Sequence, residues 1–183
     1  MTEPRLVDPP SPFVANWIPK LSTEISGPRR ALDLAMGHGR HAVLLAATGF
    51  RTFGVDIDHD VVLGAVTQAR HRGLTISAWC ADLTMPALPR QRFDLIVVVR
   101  YLQRNLCPAL VGALAPGGFL LYETFTERQK GRPRGPQSPD HLLRSGELRS
   151  LFADLDEISY EELTDPDEDA LARLAARKRS NPS

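Results

Sequence analysis

The most informative stretch of this chain is Leu32-Asp33-Leu34-Ala35-Met36-Gly37-His38-Gly39-Arg40. Its apolar start is too short for a helix and predicts a buried strand that enters a glycine-containing turn. The Ala, Val and Leu residues over 40–48 then predict a helix that Thr48-Gly49 ends. Glycines between a strand and a helix let a ligand approach the backbone closely, where the first helix N–H groups point. The stretch therefore predicts a βα ligand-binding unit.

The alternation of strand and helix continues along the chain. Further strands are predicted at 51–55, 74–80, 93–99 and 119–125, and further helices at 59–72 and 101–115. Strands that alternate with helices in this way indicate right-handed βαβ units and a parallel sheet with helices on both faces.

The composition is that of an ordinary globular domain. Of the 183 residues 43% are apolar and 24% are charged, which excludes wholesale disorder. The formal net charge of 0 argues against an electrostatic nucleic-acid or membrane binder. The two cysteines, Cys80 and Cys107, have no CxxC spacing, which excludes a disulfide scaffold. Because neither a signal-peptide pattern nor an apolar run of bilayer length is visible, we expect a cytoplasmic protein with no membrane partner.

Acidic residues stand at the ends of three predicted strands: Asp33, Asp56 and Asp82. The carboxyl ends of parallel strands meet at one edge of a sheet, where doubly wound folds bind their ligands. Asp56 is placed to take both ribose hydroxyls of a nucleoside, and Asp82 to accept a hydrogen bond from an adenine amino group. Taken together, the three acids favour cofactor binding over separate roles as helix caps.

Two classes of cofactor fit the glycine turn. Gly37-x-Gly39-x-x-Ala42 formally meets the dinucleotide fingerprint and would suit a nicotinamide-dependent oxidoreductase. Alternatively, the acid four residues before Gly37 suits the loop of a methyltransferase that binds S-adenosylmethionine. Asp56 fits either class, but dinucleotide enzymes do not generally require the acid at Asp82, and the chain has no Tyr-x-x-x-Lys pair.

The chain from about Arg30 to Glu162 resembles the class I S-adenosylmethionine-dependent methyltransferases, most closely the small tellurite-resistance (TehB-type) group. The motifs that carry the resemblance are residues 32–40, Ala46-Ala47-Thr48-Gly49-Phe50, Gly54-Val55-Asp56, Asp82-Leu83, Phe93-Asp94-Leu95-Ile96, Pro116-Gly117-Gly118 and Gly146-Glu147-Leu148-Arg149. The resemblance implies a Rossmann-like α/β fold, with a doubly wound, mostly parallel seven-stranded sheet, helices on both faces and an antiparallel last strand. It also implies that residues 169–178 form this last strand, although their composition favours a helix.

The resemblance further implies S-adenosyl-L-methionine as methyl donor and no metal. The residues that it assigns to the cofactor are Asp33, Ala35, Gly37, Gly39, Asp56, Ile57, Asp82, Leu83 and Val99. In the family, the positions of Asp33, Gly37 and Gly39 cradle the methionine portion. The position of Asp56 binds the ribose, and the Asp82-Leu83 pair faces the adenine.

Two residues of the glycine turn depart from the family pattern. Ala35 stands where the family usually has the first glycine, and Met36 stands where it commonly has a cysteine. An alanine fits this position where its φ angle stays negative.

The residues expected on the acceptor side follow the fourth and fifth strands and are Arg100, Tyr101, Tyr122 and Glu123. No catalytic group is assigned among them. Arg100 ends a run of buried valines, where an unpaired cation is costly. It either pairs with a carboxylate such as Glu123 or anchors an anionic acceptor. Tyr101 either packs at a helix start or forms a wall of the pocket.

These observations predict one methyltransferase domain. Its parts are an N-terminal segment and possible lid (1–28), a cofactor-binding core (29–125), a loop (126–140), the C-terminal part of the sheet (141–179) and a tail (180–183). The predicted activity is methyl transfer to a small-molecule acceptor by in-line displacement, with nucleic acid not expected as a partner. Two alternatives are a non-catalytic methyltransferase-like partner protein and a nicotinamide-dependent oxidoreductase.

Overall fold

The computed structural model describes residues 8–85, 87–165 and 168–180. The expected N-terminal segment and tail are therefore described only from residue 8 and up to residue 180. The strands of these residues are Arg30–Leu34 (β1), Arg51–Asp56 (β2), Ile76–Cys80 (β3), Phe93–Val99 (β4), Leu114–Phe125 (β5), Asp156–Glu162 (β6) and Leu171–Arg177 (β7). The α-helices are Pro12–Glu24 (α1), Arg40–Ala47 (α2), His59–His71 (α3), Cys107–Ala113 (α4) and Glu147–Leu151 (α5).

All seven strands belong to one sheet in the order β3-β2-β1-β4-β5-β7-β6. Strands β1 to β5 pair in parallel, whereas β7 runs antiparallel to both β5 and β6. The strand order reverses between β1 and β4, and open α/β sheets bind ligands outside the carboxyl ends of the strands at such a reversal. The predicted Rossmann-like, mostly parallel seven-stranded sheet is confirmed.

Helices cover both faces of the sheet, because the central strands carry apolar side chains on both faces. On one face Val97 and Val99 of β4 pack with Phe13 and Ile18 of α1. On the other face the alternate residues of β4 pack with apolar side chains of α4 and α5. Over Pro12–Glu24 the segment expected as a possible lid is thus a core helix. No described helix has the length and apolarity that crossing a membrane requires.

Strand β7 is the element for which composition and structure disagree. Its Leu, Ala and Arg residues favour a helix, yet Leu171–Arg177 is a strand with full backbone pairing on both sides. Five of its seven residues are buried between β5 and β6, so tertiary burial overrides the local propensity. The antiparallel last strand implied by the family resemblance is confirmed.

The helix predicted at 101–115 is wrong in extent. The structure has a 3₁₀ turn at Arg104–Leu106 and the short helix α4, and Leu114 already belongs to β5. Pro108 stands in the first turn of α4, where its missing N–H is not needed, and it favours a helix start close to that point. The motif Pro116-Gly117-Gly118, which precedes the strand predicted at 119–125, lies inside β5, where the pairing with β4 shifts register between Phe93 and Leu95.

Ala35 does not have the negative φ angle at which an alanine fits this turn. Its φ angle is +53°, in the left-handed region that a side chain makes costly. The residue directly follows β1, where the chain leaves the sheet and turns toward α2. The amide of Met36 donates a hydrogen bond of 3.0 Å to the carbonyl of Val55, which ties this turn to β2. The surrounding structure therefore imposes the strained angle on the alanine.

We expect Ala35→Gly to stabilise the protein by about 1 kcal/mol, because glycine adopts this φ angle without the strain. Urea unfolding followed by circular dichroism measures the change. The matched control is Ala47→Gly at the exposed end of α2, which should destabilise the protein because glycine is a poor helix former. A loss of stability in Ala35→Gly would contradict the prediction.

Gly54 of β2 leaves the space that the side chain of Met36 fills. A Cβ atom at Gly54 would lie 2.2 Å from Sδ of Met36, whose side chain is buried. We expect Gly54→Ala to lower the free energy of unfolding by about 1–3 kcal/mol through overpacking. The control is Gly64→Ala on the exposed face of α3, where a Cβ meets nothing within 4 Å. It should gain up to about 1 kcal/mol from helix propensity, and equal effects of both substitutions would disprove the packing account.

Candidate active site

The turn between β1 and α2 is anchored by a buried acid. Oδ2 of Asp33 accepts a hydrogen bond of 2.8 Å from the Ala42 amide in the first turn of α2. The Asp33 side chain is almost fully buried. Burial raises the pKa of Asp33 to about 8, against the opposing effects of the Ala42 amide and the charge of Arg40. Asp33 therefore holds the start of α2 against β1, and its carboxyl group is mostly protonated at neutral pH.

A second acid joins this turn to β2. Oδ2 of Asp56, at the end of β2, accepts a hydrogen bond of 2.8 Å from the Gly37 amide. A Cβ atom built at Gly37 would meet nothing within 4 Å, so the backbone is open to a ligand at this point. The structure thus brings Asp33, Gly37 and Asp56 together at the carboxyl edge of the sheet, as the sequence predicts.

The ends of β2 and β3 form an apolar and acidic surface beside that turn. Ile57 is 69% exposed, which is unusual for an isoleucine and leaves its side chain free to cover a ligand. Asp82 follows β3, and its Oδ1 atom accepts hydrogen bonds from the amide and the hydroxyl of Thr84. These bonds lower the pKa of Asp82 and keep its carboxylate ionised. Leu83 beside it is buried.

Tyr101 belongs to this acidic side of the edge. Burial raises the pKa of Tyr101, and the negative charges of Asp82 and Asp56 raise it further. Its carbonyl accepts a hydrogen bond of 2.9 Å from the hydroxyl of Tyr122. Tyr101 therefore lies near the predicted nucleoside contacts.

The polar groups at this edge of the sheet fit the hydrogen-bonding groups of the expected cofactor. A half-buried carboxylate at the end of β2 and an exposed one after β3 suit hydroxyl and amino donors, and the open backbone of Gly37 suits a close approach. Two other predicted contacts have structural roles in this chain. Gly39 caps α2, and a Cβ atom there would lie 2.8 Å from Cβ of Ala65 in α3. Val99, the last residue of β4, is buried against the face that α1 covers.

A cavity of about 700 Å³ opens next to the glycine turn, on the side of β4, β5 and β7. The arginines that line it are Arg40, Arg100, Arg132, Arg134 and Arg173. Of the predicted acceptor-side residues, Arg100 and Glu123 line this cavity. Tyr122 is not among its lining residues, since its ring is fully buried and packs on Phe152 across the sheet.

Arg100 pairs with a carboxylate, as one of the two alternatives expects, but its partner is Asp169 and not Glu123. Nη2 of Arg100 lies 2.8 Å from Oδ2 of Asp169, and Glu123 pairs with Arg173, whose Nε lies 2.6 Å from Oε2 of Glu123. Glu123 and Arg173 are direct partners in the antiparallel register of β5 and β7. The alternation of residues along 171–177 could have placed Arg173 on the face of Glu123, but only once the segment is known to be a strand beside β5.

The described residues before α1 close one side of the cavity. The Ser11 amide donates a hydrogen bond of 3.1 Å to Nε2 of His41, and Nη1 of Arg40 donates to the carbonyl of Pro9. Burial lowers the pKa of His41 to about 3, and the charges of Arg40 and Arg100 contribute to the shift. His41 is therefore neutral and accepts the bond that fixes this segment. Sequence reasoning missed this role.

The loop predicted at 126–140 closes another side. Gln129 is almost fully buried in it. Its Nε2 atom donates to the carbonyl of Arg134, and its Oε1 atom accepts from the amide of Ala170 at 2.7 Å. This glutamine ties the loop to the start of β7, so that Arg132 and Arg134 face the cavity.

Comparison with known proteins agrees with this geometry. A methyltransferase domain model matches residues 31–118, which include the glycine turn and all three strand-end acids. The ribosomal protein L11 methyltransferase of Bordetella parapertussis is 30% identical over 122 residues, which are 65% of this chain and 38% of that protein. The ubiquinone biosynthesis O-methyltransferase of Coxiella burnetii is 30% identical over 56% of this chain and 46% of that protein. The chain thus matches less than half the length of these curated relatives.

Solved structures share the fold. TehB from Haemophilus influenzae has a TM-score of 0.73 at 19% identity and covers 90% of this chain and 62% of its own. The [4+2]-cyclase SpnF has a TM-score of 0.72 at 19% identity, over 91% of this chain and 81% of its own. At these identities the likeness is one of fold. The methyltransferase domain match covers just under half of the chain and adds the sequence of the glycine turn and its acids to this shared fold, so the chain is similar to S-adenosylmethionine-dependent methyltransferases in both.

Proposed function

We propose that this protein transfers a methyl group from S-adenosyl-L-methionine to a small-molecule acceptor held in the cavity beside the glycine turn. The observation that carries the proposal is the bond from the Gly37 amide to Asp56, 2.8 Å long, which joins the open backbone to the strand-end acid. The acceptor cavity adjoins this point, because Arg40 lines the cavity and directly follows Gly39.

The residues of the acidic side would bind and orient the donor. Asp56 would accept hydrogen bonds from ribose hydroxyls, and Asp82 from the adenine amino group, with Ile57 covering the base. When bound, S-adenosylmethionine supplies a methyl group on a positively charged sulfur that is open to in-line attack. Positioning of the two reactants accounts for much of the acceleration in such a displacement.

The residues around the cavity would exclude water and orient the acceptor. The segment before α1 and the loop at 126–140 enclose it, each tied down by a buried hydrogen bond. Glu123 is the carboxylate at the end of β5, and its ion pair with Arg173 fixes its orientation. An oxygen or nitrogen acceptor needs a proton acceptor in reach, for which Glu123 is our candidate.

Calorimetric titration with S-adenosylhomocysteine tests the donor site. We expect micromolar binding by the wild type and at least about tenfold weaker binding by Asp56→Ala, which removes hydrogen bonds to a charged group. The control is Asp58→Ala. Asp58 caps α3 by accepting from the amides of Asp60 and Val61, so its loss should cost about 1 kcal/mol of stability and leave the affinity unchanged.

The same titration separates the alternatives. Binding of NADH in place of S-adenosylhomocysteine would contradict the proposal and favour an oxidoreductase. Binding of S-adenosylhomocysteine without turnover on thiol, selenite, tellurite, amine and phenol acceptors would favour a non-catalytic partner protein.

The buried acid predicts a particular pH dependence of stability. The pKa of Asp33 is about 8 in the folded protein and about 4 in the unfolded chain, so folding takes up a proton between these values. Stability from this group is therefore lost as pH rises toward 8. His41, with a folded pKa of about 3, acts in the opposite direction, but only below its unfolded pKa of about 6.5.

Between pH 6.5 and 8 we expect the free energy of unfolding to fall by about 2 kcal/mol in the wild type, and not in Asp33→Asn. Urea unfolding at both pH values measures this difference. An equal fall in both proteins would show that Asp33 is not the group responsible. Because the proposed cofactor carries an ammonium group, whose charge favours ionised Asp33, its affinity should also rise with pH in the wild type.

A further inference from the structure

The charge of the cavity is the feature that the proposed donor site leaves unexplained. Its five arginines face three lining carboxylates, which are Glu123, Glu168 and Asp169. The described residues of the lining therefore have a formal charge of +2, in a chain whose formal net charge is 0. Positive charge has been concentrated in this cavity and is balanced elsewhere on the molecule.

The arginines differ in how far the protein neutralises them. Arg173 is held between Glu123 and Glu161, and the guanidinium of Arg132 donates to the backbone carbonyls of Asp165 and Glu168. Arg40 also donates to a backbone carbonyl, that of Pro9, and over residues 8–85, 87–165 and 168–180 its guanidinium has no ion pair with a carboxylate. Among the described residues Arg40 therefore has no carboxylate that neutralises it.

The positive groups also act on one another across the cavity. Burial lowers the pKa of Arg40, and the charge of Arg100 lowers it further. Guanidinium groups that repel each other at a partly buried site are costly, and an anion between them removes that cost.

The backbone of Arg100 is strained where it lines the cavity. Its φ angle is +57°, in the region that favours glycine, and its amide donates a hydrogen bond of 2.7 Å to the carbonyl of Glu123. A long side chain in this conformation costs about 1–2 kcal/mol, and such strain clusters at ligand sites. The ion pair with Asp169 uses one guanidinium nitrogen of Arg100, Nη2, and 48% of the Arg100 side chain is exposed.

One buried polar atom at the cavity lacks a partner. Ser11 lines the cavity and is 95% buried, and its hydroxyl oxygen has no hydrogen-bond partner among the described residues. Buried hydroxyl groups without a partner are uncommon, and this one stands on the segment that encloses the cavity.

We propose that the methyl acceptor carries an acidic group, a carboxylate or a phosphate, and that Arg40 and Arg100 bind this group in the cavity. Arginine is suited to the role because its planar guanidinium binds both anions through two parallel hydrogen bonds. The proposal rests on the proposed function, since it names the chemical class of the acceptor. It leaves the methylated atom of the acceptor open.

Calorimetric titration of matched probes, with S-adenosylhomocysteine present, tests the proposal. The carboxylate arm compares benzoate with benzamide, and the phosphate arm compares phenyl phosphate with phenol. We expect an acidic probe to bind about tenfold or more tightly than its neutral partner, and the arm that shows the preference identifies the acidic group. Higher salt should weaken the preference.

The variants are Arg100→Gly, Arg40→Gln and Arg70→Gln. The glycine removes the charge of Arg100 and relieves its backbone, so that variant should remain folded. Both Arg100→Gly and Arg40→Gln should abolish the preference for the acidic probe. Arg70→Gln, on the exposed side of α3, removes one positive charge outside the cavity and should keep the preference.

Equal affinity for acidic and neutral probes, or an equal loss of the preference in Arg70→Gln, would overturn the inference. The titration of S-adenosylhomocysteine alone distinguishes this result from a failure of the proposed function. A protein that binds S-adenosylhomocysteine and shows no acid preference contradicts only the inference about the acceptor. A protein that does not bind S-adenosylhomocysteine contradicts the proposed function. In that case the probes are titrated without S-adenosylhomocysteine and still report on the cavity.

Discussion

The hydrogen bond from the Ala42 amide to the buried carboxyl group of Asp33 fixes the part of the molecule on which its chemistry depends. A buried carboxyl group must be hydrogen-bonded or it destabilises the fold, and this one finds its donor in the first turn of α2. The bond sets the position of the helix against β1 and thereby the path of the turn between them. That path presents the Gly37 amide to Asp56 and places Arg40 at the cavity.

From this turn the carboxyl edge of the sheet divides into two halves of opposite charge. Toward β2 and β3 the edge carries Asp56 and Asp82, and toward β4, β5 and β7 it carries the arginines of the cavity. A sulfonium donor suits the acidic half, and an acidic acceptor suits the basic half. Binding both reactants would bring opposite charges together across the turn, in a low-dielectric setting where such attraction is strong. The division follows from topology, because β1 stands between the two halves.

The sequence predicted the features that are encoded in a few neighbouring residues, and not those that depend on contacts between distant segments. The acids at the strand ends, the glycine turn and the buried β4 are each encoded in a few neighbouring residues, and the structure places them as expected. Strand β7 required the family resemblance, because its Ala- and Leu-rich composition favours a helix and only burial between two strands decides otherwise. The partners of Arg100 and Glu123 were out of reach, because pairs across β5 and β7 depend on a register that no single segment contains. The same holds for His41, whose partner Ser11 precedes it by 30 residues.

The two strained residues at this edge, Ala35 and Arg100, follow the neighbouring strands β1 and β4. Each residue leaves its strand with a positive φ angle, at a cost of about 1–2 kcal/mol that is large beside a total stability of about 5–15 kcal/mol. At each of the two turns a backbone amide donates a hydrogen bond to the neighbouring strand. The amide of Met36, which follows Ala35, donates to the carbonyl of Val55, and the amide of Arg100 itself donates to the carbonyl of Glu123. These bonds hold the chain in a direction that departs from that of β1 and β4. The departure opens the crevice at the point where the strand order reverses. At Ala35 a glycine would serve this geometry as well, so the strain there has no chemical use that we can identify. At Arg100 the strained backbone places a guanidinium group at the cavity. Of the two strained residues, only Arg100 has a side chain whose position accounts for the strain.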